Sequence, residues 1–360
     1  MYKNLGILTI IDNDNYGNRL QNYAVQTVLN QMNISNETII NTAVFNEKKK
    51  YLLRKIKYFM TDSYNSYSNN INRKEAFREF NKNIYFSKNK YSVYSKFNYK
   101  YLLVGSDQIW NPYFGRLREV DLLDINCKNN YTKKIAFSAS FGVNKLPDKL
   151  NKLDKLFECF NNFNAISVRE DSGKKILQDL GYKGKISVLI DPTMLLSAKE
   201  WDKVTRKPRM LKSKKYILNY FLGDLSEERE KEIQRVANEN DCEIINILDK
   251  NSPFYECGPS EFLYLEKHAF LICTDSFHSS VFGVIYNKPF IVFEREQENA
   301  VNLSSRLDTL ISKLKLENRK YNGKNIVFDN MNHDYTEAYE LLEIEKAKSI
   351  YFLKKTLEKT

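Results

Sequence analysis

The chain reads as an α/β protein of two consecutive units, each a parallel sheet with helices on both faces. Three observations predict this. Short apolar runs of strand length alternate with segments of helical spacing along most of the 360 residues. A cationic stretch from Lys199 to Lys215, containing Pro208, interrupts the alternation, which then begins again. Six polar clusters each sit at the end of an apolar run, where open α/β sheets bind their ligands.

The first series opens with a strand at 5–11, "LGILTII". From Asn18 to Met32, Leu20, Tyr23, Ala24, Val28 and Met32 fall at helical spacing. The stretch 47–98, rich in Lys, Asn, Ser and Tyr, is expected to hold two helices and an exposed loop. Strands follow at 101–107, 133–140, 164–170 and 186–192, with helices near 148–160 and over "DSGKKILQDLG". The second series starts with a strand at 215–221 and a charged helix at 226–240, whose early Glu227 and Glu228 suit the positive end of the helix dipole. Then come "CEIINIL", "FLICTD" and "PFIVFER" as strands, "PSEFLYLEKH" and "FHSSVFGVIYN" as helices, a helix at 302–316 and a long one at 335–358. The predicted domains are 1–205, 206–330 and a C-terminal helix, 331–360, returning to the first domain, with a cleft between the two sheets.

Composition narrows the class. At 42% hydrophobic and 28% charged residues the chain is an ordinary globular one. No run approaches the roughly 18 apolar residues that span a membrane. The N-terminal apolar run is followed by Asp12, Asn13 and Asp14 without a small-residue cleavage site, so it reads as a strand and not a signal peptide. Five scattered cysteines without a CxxC pair point to reduced thiols in the cytoplasm and to no structural metal. The net charge of +11 favours anionic partners or an anionic membrane surface. Its even spread, without a binding motif, argues against nucleic acid.

The six clusters are "DNDNYGN" (12–18), "GSDQIWNP" (105–112), "SASFG" (138–142), "SVRE" (167–170), "TDSFHSS" (274–280) and "FER" (293–295). His278, one of three histidines, falls at a predicted helix start, where backbone N–H groups favour an anion. Ser276, Ser279 and Ser280 can add hydroxyl donors. The plainer reading is a capping serine beside a buried histidine. Arg169 closes an apolar strand, and its guanidinium fork suits a carboxylate or phosphate. Otherwise it pairs with Glu170 or Asp171. Arg295 stands in the same position, with Glu294 and Glu296 as neighbours; Lys288, next to Pro289 in a turn, reads more plainly as a solvated lysine. Ser106, Asp107 and Gln108 close the strand at 101–107. Trp110 offers a flat face for a sugar or, alternatively, a core anchor. Asn15, Tyr16, Gly17 and Asn18 lead into the first helix: Gly17 allows close backbone approach, and Asn18 is a candidate N-cap. No Walker A loop, GxGxxG, GxSxG or HExxH occurs, which argues against ATP hydrolysis, hydride transfer, serine hydrolysis and zinc proteolysis.

Taken together, the pieces "DNYGNRLQNYA" (14–24), "LLVGSDQIWNP" (102–112), "ASFG", "ISVREDSG" (166–173), "VLIDPTMLL" (188–196), "GPSEFLYLEKHAFLICTDSFHSSVFGVIYNKPFIVFER" (258–295) and "SSRLDTL" (304–310) resemble the polysaccharide pyruvyl transferase family. The resemblance implies two Rossmann-like domains facing across a cleft, as in GT-B glycosyltransferases. It also implies transfer of pyruvate from phosphoenolpyruvate (PEP) to a sugar of a surface or capsular polysaccharide, usually as a ketal. The family's cleft histidine falls on His278 and its "SVR" arginine on Arg169. A further substrate-binding cation is matched only approximately, by Arg295 or Lys288, and Ser279 stands where many relatives have Gly. No cofactor is expected beyond PEP as donor. The expected partners are PEP and a saccharide acceptor, with lipid linkage and peripheral association at the inner membrane face left open. Asp107 or Asp14 is the expected base. Two other readings stand beside this one: a glycosyltransferase using a nucleotide sugar, with Glu261 as its ribose ligand, and a non-catalytic protein of a polysaccharide pathway.

Overall fold

A computed structural model describes residues 4–41, 64–91, 97–125, 127, 131–147, 153–296, 305–328 and 334–358. In chain order, the regular elements are β1 (Leu5–Leu8), α1 (Tyr16–Gln31), β2 (Asn36–Asn41), α2 (Tyr64–Asn81), β3 (Phe86–Tyr91), β4 (Tyr101–Val104), β5 (Lys133–Ala139), α3 (Leu153–Asn161), β6 (Ala165–Val168), α4 (Asp171–Asp179) and β7 (Ile186–Val188). They continue with α5 (Ala198–Asp202), β8 (Tyr216–Tyr220), α6 (Glu227–Glu239), β9 (Glu243–Asn246), α7 (Pro259–His268), β10 (Leu271–Thr274), α8 (Phe277–Ile285), β11 (Phe290–Val292), α9 (Ser305–Leu314) and α10 (Thr336–Thr356). The chain forms two compact units: Met1–Ile56, Lys82–Leu195 and Glu343–Thr360 in one, Lys57–Asn81 and Leu196–Leu342 in the other.

The first unit is built on a seven-stranded sheet of order β3-β2-β1-β4-β5-β6-β7, with every neighbouring pair parallel. The order reverses direction between β1 and β4, so the loops leaving those two strands diverge and leave room for a ligand. Burial follows from the sequence. The runs of β1 and β4 are buried at every position, as strands covered on both faces must be. Gly105, directly after β4, has φ of +119°, and a Cβ there would lie 2.3 Å from the carbonyl oxygen of Phe137. Only glycine lets the chain turn so tightly against β5.

The second unit holds a four-stranded sheet, β11-β10-β8-β9, again wholly parallel. Its reversal point lies between β8 and β10. One core patch beneath it gathers Ile217, Ile233, Val236, Leu271, Cys273 and Phe293. Aromatic contacts extend this packing: Trp201 meets Phe282 edge-on at 5.2 Å, and Phe262 meets Phe282 at 6.0 Å.

The α/β class and the two doubly wound sheets agree with the expectation. So does the return of the last helix: Phe352 stacks on Phe137 at 6.1 Å, and the Tyr101 hydroxyl donates to the Leu357 carbonyl at 3.1 Å. The first turns of α10 belong to the second unit, where the Tyr339 hydroxyl donates to the Val284 carbonyl at 2.8 Å. Other details differ. β2 was not expected, because its segment "NETIIN" is half polar. The 47–98 stretch yields one described helix, α2, and a strand, β3, in place of two helices and a loop; its residues 47–63 and 92–96 lie outside the described residues. α2 belongs to the second unit, and the first unit ends at Leu195, whereas the sequence reading ran the first domain unbroken to 205. The predicted helices near 148–160 and 302–316 appear as α3 and α9, their leading residues 148–152 and 302–304 lying outside the described residues.

Candidate functional site

In the first unit, three strand ends contribute to one buried ionic cluster. Arg169 follows β6, and its side chain is 1% exposed. Its Nη1 lies 2.5 Å from Asp191 Oδ2 and its Nη2 lies 3.1 Å from Asp107 Oδ1. Glu170 Oε2 stands 4.0 Å from Nε. Burial alone would lower the guanidinium's pKa, but Asp191, Asp107 and Glu170 together raise it above its ordinary value. The cation is therefore held chiefly by Asp191 and Asp107, reached through the sheet, with its sequence neighbour Glu170 at 4.0 Å; Asp171, the other neighbour expected, is not among these partners. That pairing bears on its expected use as an anion clamp, because the fork already faces two carboxylates.

Asp107 sits on the turn after β4 with φ of +61°, in the left-handed region. Besides Arg169 it accepts a hydrogen bond from Asn18 Nδ2 at 2.9 Å. Asn15, not Asn18, caps α1: its Oδ1 accepts from the Asn18 backbone N–H at 3.1 Å, which leaves the Asn18 amide to reach Asp107. Tyr16 and Gly17 are buried in the first turn of α1. The Ser106 hydroxyl donates to the Ser138 carbonyl at 2.8 Å and lies 3.1 Å from Asp191 Oδ2, so it serves the cluster from within. Gln108 accepts from Asn111 Nδ2 at 2.5 Å. Glu170 Oε1 gathers the Ser140 hydroxyl and the N–H groups of Phe141 and Gly142, at 2.8 to 3.0 Å, and so shapes the turn after β5.

Of the two readings of Trp110, the structure takes the core anchor and not the sugar-facing ring. Trp110 is fully buried, packed against Phe141, Phe160 and Phe163 at 5.0 to 5.9 Å, and its indole N–H donates to the Asp121 carbonyl. An indole enclosed by three aromatic rings has no face left for a sugar. The exposed aromatics of that loop are Tyr113 and Phe114, at 51% and 57%.

In the second unit, His278 lies in the first turn of α8, behind Ser276 as N-cap, at the end of β10 beside the reversal point. It is 7% exposed and meets Phe277 edge-on at 5.3 Å. The serines do not offer their hydroxyls as expected. Ser279 donates to Glu266 Oε1 at 2.6 Å and Ser280 to the Ser276 carbonyl at 3.0 Å. Both face into the helix packing, because positions one and two past His278 turn to the α7 side and back along the helix. Glu266 is fully buried, and burial holds its carboxyl well above the usual range.

Asp275 ties the neighbouring strand ends together. Its carboxylate accepts from the N–H groups of Leu222 and Gly223 at 2.7 and 2.8 Å, after β8, and from Arg295 Nε at 2.9 Å, after β11. Arg295 thus pairs with Asp275, and not with Glu294 or Glu296; Glu296 is taken by Arg229 at 3.1 Å. Lys288 is half-buried in the turn after α8, which lowers its pKa. Sequence reasoning missed Asp191 and Asp275 as organisers. The signal was present in "LIDP" and "ICTD", where an acid ends an apolar run. Among the described residues no group of three or more His, Cys, Asp or Glu is arranged to hold a metal, and no helix is long and apolar enough to cross a membrane.

Two parallel, doubly wound sheets with polar strand ends define an α/β protein of Rossmann-like units. Residues 15–297 match the polysaccharide pyruvyl transferase family, and the chain belongs to that family. No curated protein matches it. Among solved structures it is similar to UDP-GlcNAc 2-epimerase of Methanocaldococcus jannaschii in complex with UDP-GlcNAc and UDP (14% identity, 95% of this chain and 92% of that one, TM-score 0.41). It is also similar to UDP-GlcNAc 2-epimerase of Neisseria meningitidis bound to UDP-GlcNAc (11%, 99% and 99%, 0.45) and to the glycotransferase of kitacinnamycin (9%, 99% and 96%, 0.35).

Proposed function

We propose that the protein transfers pyruvate from PEP to two hydroxyls of a saccharide, forming a ketal and releasing phosphate. The observation that carries this reading is His278, a titratable ring in the first turn of α8 at the end of β10, in a chain of the pyruvyl transferase family. Protonation of the PEP methylene carbon makes C2 an oxocarbenium-like centre, and imidazole is suited to deliver that proton near neutral pH. A first sugar hydroxyl adds to C2 and gives up its proton. Loss of phosphate leaves a second oxocarbenium centre, which the neighbouring hydroxyl closes, its proton passing to the released phosphate. In this reading His278 is the acid and Asp107 accepts the hydroxyl's proton. Arg169 holds Asp107 in place, with Asn18 sharing that task. Arg295 and Lys288 supply positive charge for the donor's phosphate and carboxylate. Asn15, Tyr16, Gly17, Ser106 and Gln108 shape the acceptor's side, and Ser276 opens the helix that carries His278.

The reaction requires no cofactor beyond PEP itself. It belongs in the cytoplasm, and a lipid-linked acceptor would bring the protein to the inner face of the membrane. The competing nucleotide-sugar reading is weakened at Glu261. That residue accepts from the Gly258 N–H at 3.1 Å and pairs with Arg206 at 2.5 Å, so it is engaged at the start of α7.

The test is thermal stabilisation of the full chain by PEP against a panel of nucleotide sugars. Turnover of PEP to phosphate with saccharide acceptors follows, in wild type and His278→Ala. Stabilisation by PEP, and turnover lost in a folded His278→Ala, is expected. Stabilisation by a nucleotide sugar alone would replace the reading with glycosyl transfer.

A further inference from the structure

The cations of the first unit differ sharply in how they are compensated. Arg169 faces Asp191 and Asp107. Arg19, in α1, is fully buried, and its Nη2 donates to the Ile10 carbonyl at the end of β1. Its Nε and Nη1 are buried without a hydrogen-bond partner. Arg116, on the loop that leaves β4, also carries a buried Nε with no partner. The acids around Arg116 are taken: Asp121 is gripped by Arg118 at 2.7 and 3.0 Å, and Asp107 by Arg169 and Asn18. Asp12 is the carboxylate that acts electrostatically on both Arg19 and Arg116. Burial lowers the pKa of Arg19 to about 10, with Asp12 opposing it, and lowers that of Arg116 below its ordinary value against the pull of Asp121, Asp12 and Asp107. A buried cation with idle N–H groups is costly unless an anion completes it.

The two arginines follow the strands that flank the sheet's reversal point, Arg19 in α1 after β1 and Arg116 on the loop after β4. The same short turn that carries Arg116 presents Tyr113 and Phe114 to solvent, side by side in sequence. This turn is held firmly: Asn111, fully buried, accepts the Tyr113 N–H on its side chain at 2.9 Å and the Phe114 and Arg116 N–H groups on its carbonyl at 3.3 Å. Exposed rings on a fixed turn suit the apolar face of a sugar.

We propose that Arg116, in the positive field that it shares with the enclosed Arg19, forms a phosphate-binding site in the first unit, and that its ligand is a phosphorylated saccharide whose ring packs on Tyr113 and Phe114. Calling that saccharide the acceptor rests on the reading given under Proposed function; the site itself does not.

Titration calorimetry of the full chain with a hexose 1-phosphate, inorganic phosphate and PEP tests this, in wild type, Arg116→Gln and Tyr113→Ala/Phe114→Ala. Arg116→Gln is expected to weaken the hexose phosphate and inorganic phosphate by about tenfold or more, since it removes a charge-assisted contact. The double aromatic variant is expected to weaken the hexose phosphate and leave inorganic phosphate unchanged. PEP binding is expected to survive both. Arg116 is half-buried on a loop, so its variant keeps the fold even where an Arg19 variant would not. Absent binding of hexose phosphate to the wild type, or binding indifferent to Arg116→Gln, overturns the site. Loss of PEP binding in Arg116→Gln without any hexose phosphate binding hands the cations to the donor and overturns the saccharide assignment. Failure of PEP to bind the wild type, with the hexose phosphate results intact, would count against pyruvyl transfer alone.

Discussion

Arg169 and Asp191 meet at 2.5 Å with side chains 1% and 0% exposed, one from the end of β6 and the other from just beyond β7. A pair so deeply buried couples stability to every strand end it touches. Removing the cation leaves Asp191 and Asp107 facing each other's charge without water. Arg169→Ala is expected to cost about 3–5 kcal/mol, the range for breaking a buried pair. Urea denaturation measures it. A loss under about 1 kcal/mol would mean that water enters the cluster.

Trp110 and Tyr113 lie three positions apart and do opposite things. Trp110→Ala is expected to destabilise by about 3–5 kcal/mol, through an unfilled cavity among Phe141, Phe160 and Phe163. Tyr113→Ala is expected to stay within about 0.5 kcal/mol of wild type. The same denaturation experiment compares them. Equal effects would contradict the packing described.

Glu266 carries a pH signature. Its folded-state pKa is raised well above 4.5 by burial, so the folded protein holds a proton that the unfolded chain releases. The folded state then binds more protons than the unfolded one at pH values above about 4.5, and stability falls as pH rises toward the folded pKa. Below the unfolded value this contribution is fully present. Glu266→Gln, which keeps an acceptor for the Ser279 hydroxyl, is expected to flatten the slope and gain stability relative to wild type at neutral pH. Urea midpoints from pH 5 to 8 decide the matter: parallel curves for the two proteins would exclude a protonated Glu266.

Asp275 holds Leu222, Gly223 and Arg295 around the strand ends beside His278. Asp275→Ala strands two backbone donors and a guanidinium, at about 1–3 kcal/mol for each group left unsatisfied. Amide exchange at Leu222 and Gly223 is expected to accelerate more than the loss of global stability explains. Exchange that rises uniformly across the second unit would instead assign Asp275 to the general core.

Much of the fold was legible because the buried strands are written as apolar runs. β1, β4, β5, β6, β8 and β10 all fall inside predicted segments. β2 and β3 escaped because they lie at one side of the sheet with half-polar sequences, "NETIIN" and "FSKNKY". Such strands take their place from their neighbours and not from their own hydrophobicity. The candidate site was legible in outline for the same reason: ligand-facing loops follow strands, so "GSD", "SVRE" and "TDSFHSS" could be found by position.

What the sequence by itself determined was therefore the alternation, the polar strand ends and membership of the family, since periodicity and motif order are properties of the chain read in line. Which side chains engage one another was decided only in three dimensions. Arg169 finds Asp191 and Asp107 because β4, β5, β6 and β7 lie side by side; Trp110 turns inward because three phenylalanines enclose it. Arg19 and Arg116 were passed over because nothing in the sequence marks a cation whose carboxylates are already taken. A guanidinium's role depends on its counter-charge, and sheet order, not chain order, determines which acids come within reach.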